Sequence, residues 1–144
     1  MGYIIVFFMS FLSFLLSSTT QDIEKAFLQE NPKILLSLFP EKAYINISMP
    51  DPISFSDYVS NQQAYFLFRK IFSSYTTFEF YSEKQFLIRP RKDFIIKASW
   101  SFRDNKTGTQ FVYHVFFYVT FVPKKGKSPP SASWKITEVR AVKS

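Results

Sequence analysis

Residues Phe111–Val122 read FVYHVFFYVTFV, with one histidine and no Asp, Glu, Lys or Arg. A strand with one face in water alternates apolar and polar side chains, and this one does not. Side chains along a strand point to opposite faces in turn. The odd set is Phe111, Tyr113, Val115, Phe117, Val119 and Phe121; the even set is Val112, His114, Phe116, Tyr118, Thr120 and Val122. One face is wholly apolar or aromatic, and the other is apolar with three polar groups. The preceding stretch sorts cleanly, with Phe94, Ile96, Ala98, Trp100 and Phe102 on one side and Ile95, Lys97, Ser99 and Ser101 on the other. The odd set therefore belongs to a dry core under helices. The even set lies on an outer face, where a lone chain would expose Phe116, Tyr118 and Val122. An apolar patch above a few hundred Å² is unusual on a monomer. The expectation is a homodimer that covers this face, because two-fold dimers are the commonest oligomers.

Outward from that strand, the rest of the second half also reads as strands: roughly 76–88, 92–103, 109–123 and 133–142. The loop DNKTG between the second and third is a hairpin signal. Before them, SNQQ (Ser60–Gln63) is a capping box opening a helix whose stripe is Ala64, Phe68, Ile71, Phe72 and Tyr75. AYINISM (Ala43–Met49) reads as a short strand and PDP (Pro50–Pro52) as a turn. Asn31-Pro32 is a helix start signal for KILLSLF, and DIEKAFLQE places Ile23, Ala26 and Phe27 at helical spacing after a candidate N-cap, Asp22. Helices first and hairpins afterwards predict an α+β fold.

The amino terminus stands apart. Met1–Gln21 carries no charged side chain, and YIIVFFMSFLSFLL (Tyr3–Leu16) is an apolar run followed by SSTT. An apolar run of this length before small polar residues reads as a secretory signal peptide, residues 1–20, with an uncleaved anchor as the second reading; a single domain then covers 21–144. Export to the periplasm or cell envelope is the expectation. The 144 residues include 19 Phe and are 20% aromatic, ample apolar surface to offset the entropy of ordering. The absence of cysteine excludes disulfides, thiolate metal sites and cysteine nucleophiles. A single histidine excludes a multi-histidine metal site, and no phosphate loop or other cofactor motif is present.

The opening DIEKAFLQENPKILLSLF, the helix entry SFSDYVSNQQAYFLFRKIF and the closing SWKITEVRAV together resemble the nuclear transport factor two-like superfamily. Within it, the chain is similar to small exported bacterial proteins known only as a domain of unknown function. The resemblance covers Asp22–Val142 and implies N-terminal helices packed in a curved antiparallel sheet, shaped as a cone. It also implies a hydrophobic pocket at the wide end and frequent dimerisation through the sheet. Some enzymes of the superfamily use His with Asp and Tyr, which makes His114 with Asp57 the catalytic alternative, of the isomerase or dehydratase kind. Parity places His114 opposite the dry face, so its first reading is a structural or interface imidazole. Asp57 reads first as a turn-forming acid.

The net charge of +7 is uneven. Asp22–Phe72 holds five Lys/Arg against six Asp/Glu, whereas Ser73–Ser144 holds thirteen against five. In a meander the first and third connections lie at one end, which brings Arg89, Arg91 and Lys92 towards Lys124, Lys125 and Lys127. Such a rim attracts acidic envelope components or simply keeps an aromatic-rich protein soluble. Nucleic acid is not expected for an exported chain, despite a pI near 9.6. The function these residues predict is a noncatalytic binding or accessory module, with a small hydrophobic ligand or an acidic envelope component as its partner.

Overall fold

The computed structural model describes residues 18–89, 92–123 and 132–144. Most of the expected leader, residues 1–17, lies outside the described residues. Helix α1 spans 18–28, α2 Pro32–Leu38 and α3 Asn61–Ser74; the strands are β1 Ile45–Met49, β2 Phe55–Val59, β3 Tyr75–Arg89, β4 Asp93–Asp104, β5 Gln110–Pro123 and β6 Ala132–Lys143. They form an α+β fold with one curved six-stranded sheet in the order β2-β1-β6-β5-β4-β3. Among the described residues no helix is long and apolar enough to cross a membrane.

Local chemistry sets the helix ends. The Asn31 side chain accepts from the Lys33 amide, with Pro32 at the first helical position of α2. Ser60 and Gln63 close the capping box of α3 reciprocally, which satisfies two backbone donors that the helix cannot. Asp22 is not an N-cap: α1 is already helical at residue 18, and Thr19 and Thr20 are buried. The apolar stripe alone could not reveal that earlier start.

Two further expectations are corrected. The sheet is mixed, not antiparallel throughout, because β1 pairs parallel with β6 through Asn46↔Glu138, Ile47↔Val139 and Ser48↔Arg140. The chain leaves β1 early, builds α3 and the meander, and returns β6 alongside it. Between β1 and α3 the sequence FSDYV forms β2, an edge strand antiparallel to β1. Only its two ends are apolar, so its strand pattern is weak.

The parity reading of β5 holds from Val112 to Thr120, whereas Phe111 and Phe121 at its ends are half-buried. Tyr113, Val115, Phe117 and Val119 are buried, while Val112 is exposed and His114, Phe116, Tyr118 and Thr120 are half-buried. In β4, Ile96, Ala98, Trp100 and Phe102 are buried. Against that face α1 sets Phe27, whose ring stacks on Phe80 at 4.3 Å and meets Trp100 at 5.1 Å and Phe117 at 5.8 Å edge-on. From α3, Phe68 and Phe72 pack edge-on against the same ring at 5.9 and 5.4 Å. Polar ties fix α1 along β3. Glu24 Oε1 accepts from the amide and hydroxyl of Ser82, and Gln85 Nε2 donates to Thr20 Oγ1. Breaks in register at Thr77/Glu79, Ser82/Lys84 and Leu87/Arg89 in β3 insert extra residues and bend the strand.

The fully buried Tyr113 anchors the turn after β1. Its hydroxyl donates to Pro50 O at 2.5 Å and lies 3.4 Å from the Ile53 amide. Burial pushes its pKa up to about 12, opposed in part by the Ile53 amide; the charges of Tyr75 and Asp51 add to the rise.

Two outcomes follow from this packing. Phe27→Ala should destabilise the fold by about 3–5 kcal/mol in urea unfolding, the usual range for emptying an aromatic core site. The neutral Tyr113 hydroxyl is favoured when folded, so its contribution is complete below pH 10 and is lost as pH rises towards 12. Thermal melts should therefore show a decline across that interval, and Tyr113→Phe should flatten this component.

Candidate functional site on the outer sheet face

β5 presents His114 on the face away from α1, between Ser99 of β4 and Val142 of β6. A carboxylate reaches it from β3, two strands away. The pairs Ser82↔Ala98 and Lys84↔Lys97 flank the extra residue Glu83, and this bulge directs Glu83 over the outer face. Glu83 Oε2 lies 3.2 Å from Lys97 Nζ, and Glu83 Oε1 lies 3.4 Å from His114 Nδ1. The second contact has ion-pair distance without hydrogen-bond geometry, since Nδ1 is shielded and has no hydrogen-bond partner among the described residues. The Lys97 ammonium lies 5.9 Å from the centre of the Phe116 ring, within cation–π range. Sequence reasoning missed Glu83: a carboxylate directed by a bulge leaves no mark in the pattern of β5.

The apolar groups around this cluster are continuous. Tyr81, Ser99, His114 and Val142 form one row across β3–β6, and Lys97, Phe116 and Arg140 form the next. Tyr81, Val112 and Val142 are 45%, 40% and 43% exposed. Of the expected dimer face, Phe116 and Tyr118 are half-buried and Val122 is exposed. Tyr118 borders a groove of about 230 Å³, together with Ile88, Arg89, Asp93, Thr120 and Glu138. Its polar groups are already engaged: Arg89 pairs with Asp93, Thr120 Oγ1 donates to Asp93 Oδ1 at 3.1 Å, and Asn46 donates to Glu138 at 3.2 Å.

The structure does not bring His114 and Asp57 together. Asp57 pairs with Ile47 on edge strand β2 and so shares the face of the buried Ile47. His114 is on the other face, three strand spacings away, or about 14 Å. Asp57 is exposed and accepts from the Tyr58 amide at 2.7 Å, a local turn-type contact. Of the basic rim, Arg89 and Lys92 are described and exposed; Arg91, Lys124, Lys125 and Lys127 lie outside the described residues. The ends of β3 and β5 and the starts of β4 and β6 do share one end of the sheet, through Arg89↔Asp93, Asp93↔Thr120 and Thr120↔Lys135. Among the described residues no three His, Asp, Glu or Cys side chains converge to hold a metal ion.

No family model matches the chain, and no curated protein matches it. Solved structures do. A DUF4783 family protein from Bacteroides uniformis is similar over 86% of this chain and 95% of its own, at TM-score 0.62 and 14% identity. A ketosteroid isomerase-like protein from Erwinia carotovora atroseptica covers 90% of this chain and 93% of its own, at TM-score 0.64 and 10% identity. An NTF2-like protein of unknown function in nutrient uptake from Rhodospirillum rubrum covers 90% and 98%, at TM-score 0.59 and 11% identity. At these identities the likeness is one of fold. The α+β architecture, with its curved six-stranded sheet, is similar to that of these NTF2-like and ketosteroid isomerase-like structures.

Proposed function

We propose that this chain is an exported, noncatalytic binding or accessory module that acts as a homodimer through the outer face of its sheet. In this reading the helices sit in the hollow of the curved sheet as in a cone. Apolar side chains on both faces of β5 carry the proposal. The helix-facing set is covered by Phe27 and its neighbours, whereas Val112, Phe116 and Val142 form an apolar surround for His114 that, among the described residues, no helix covers. A second copy related by a two-fold axis would lay the same patch on itself, with the Glu83–Lys97 pair at its border.

The enzymatic alternative requires an acid and a base that face one ligand. His114 and Asp57 stand on opposite faces, so the pair offers no support for isomerase or dehydratase chemistry. Export rests on the apolar run Tyr3–Leu16. A small hydrophobic ligand, or an acidic partner for the basic half of the chain, is the accompanying expectation.

Native mass spectrometry of the chain purified from the envelope of its own host tests this reading. A doubled mass is expected, and an additional few hundred daltons would identify a bound ligand. Val142→Glu, at an exposed position, should return the mass to that of a monomer with little change in thermal stability. A wild-type monomer at micromolar concentration would overturn the reading.

A further inference from the structure

The outer end of β3 differs from the rest of that edge. Up to Gln85 the strand is tied to α1 through Glu24 and Thr20. Beyond it, Phe86, Leu87 and Ile88 are consecutive and 43%, 57% and 49% exposed. Phe86 pairs with Ile95 and Leu87 with Phe94, and Ile88 falls in a register break. Successive residues point to opposite faces, so this strand end offers apolar groups on both sides. A partner laid on one face could cover only some of them. A medium that surrounds the tip covers them all.

Charge and chain direction identify that medium. Lys84, Arg89 and Lys92 flank the apolar residues and are exposed, and the acids near them are engaged: Asp93 is half-buried and paired with Arg89, Glu83 is paired with Lys97 on the outer face, and Glu138 accepts from Asn46. The α1 residues Thr20 and Glu24 meet β3 at Gln85 and Ser82 respectively. Thus α1 runs antiparallel to β3, and its first turn lies beside this tip. Residue 18, two positions after the uncharged run Tyr3–Leu16 in the sequence, therefore lies at the same end.

We propose that the Phe86–Ile88 tip, with Lys84, Arg89 and Lys92, is a docking surface for an anionic lipid bilayer. Phe86, Leu87 and Ile88 enter the acyl boundary, and the cations meet the headgroups. Interfacial binding of this type scales with buried apolar area plus attraction to anionic lipid. The inference is independent of the pairing of sheet faces proposed above.

The chain contains no cysteine, so Leu87→Cys and, at the opposite edge, Tyr58→Cys each provide a unique labelling site. An environment-sensitive fluorophore on each full-length variant would be read with vesicles of phosphatidylcholine alone or with phosphatidylglycerol added. Circular dichroism of each labelled variant establishes that it is folded. The label at 87 is expected to shift to the blue and be quenched by lipid-phase quenchers on the anionic vesicles, while the label at 58 stays in water. In the Leu87→Cys background, Lys84→Glu or Lys92→Glu should each lower the ratio of inserted to water-exposed label about fivefold or more, in line with the usual contribution of one cation near such a surface. A label at 87 that stays in water while the chain floats with vesicles would overturn the proposal, because the apolar run alone would then account for binding. Equal changes at 58 and 87, or a shift at 87 without lipid that grows with protein concentration, would also overturn it, the last in favour of edge pairing between copies.

Discussion

The ring of Phe27 is where α1, α3 and the three strands β3, β4 and β5 meet. It stacks on Phe80 and takes Phe68, Phe72, Trp100 and Phe117 around its edges. Burying such a side chain contributes about 1.5–3 kcal/mol, and each well-placed ring pair adds about 0.5–1.5 kcal/mol. The position of α1 follows from this contact, and α1 in turn fixes β3. Its Glu24 and the adjoining Glu30 accept from the Ser82 and Thr77 amides, occupying donors along an edge strand that could otherwise recruit another chain.

Once the helix-facing side is filled by these rings, the outer side has to be accounted for separately. There the sheet combines the Glu83, Lys97 and His114 cluster with Tyr81, Val112, Phe116 and Val142. Lys97 partly screens Phe116 with its charged end while ion-pairing with Glu83. The pair is partly buried, and ion pairs near a protein surface contribute little to stability. The same sheet ends in a tip of different character, apolar on both faces and cationic at its base. In the two proposals made above, these surfaces take different partners.

Much of this was readable from particular residues. Alternation in Ile96–Phe102 marked which face of β4 was dry, and β5 followed by parity without an interruption. Ser60 with Gln63, and Asn31 with Pro32, marked helix starts because capping depends on residues a few positions apart. What escaped depended on long-range geometry. The parallel β1–β6 pair joins residues about ninety positions apart, and in β2 the polar or exposed Ser56, Asp57 and Tyr58 leave little apolar pattern. Glu83 was invisible as a partner of His114, since a bulge in β3 brings it there. The separation of Asp57 from His114 is likewise set by strand order, which the sequence does not spell out.

The claim that both faces of β5 are covered, one by α1 and one by a second copy, is tested most directly by nuclear magnetic resonance with a soluble paramagnetic probe. The side-chain signals of Val115 and Phe117 should be shielded at every protein concentration. Those of Val112 and Val142 should be relaxed in dilute solution and become shielded as concentration rises. Val112 and Val142 relaxed throughout would contradict the account of the outer face, and a relaxed Val115 would contradict the account of the core.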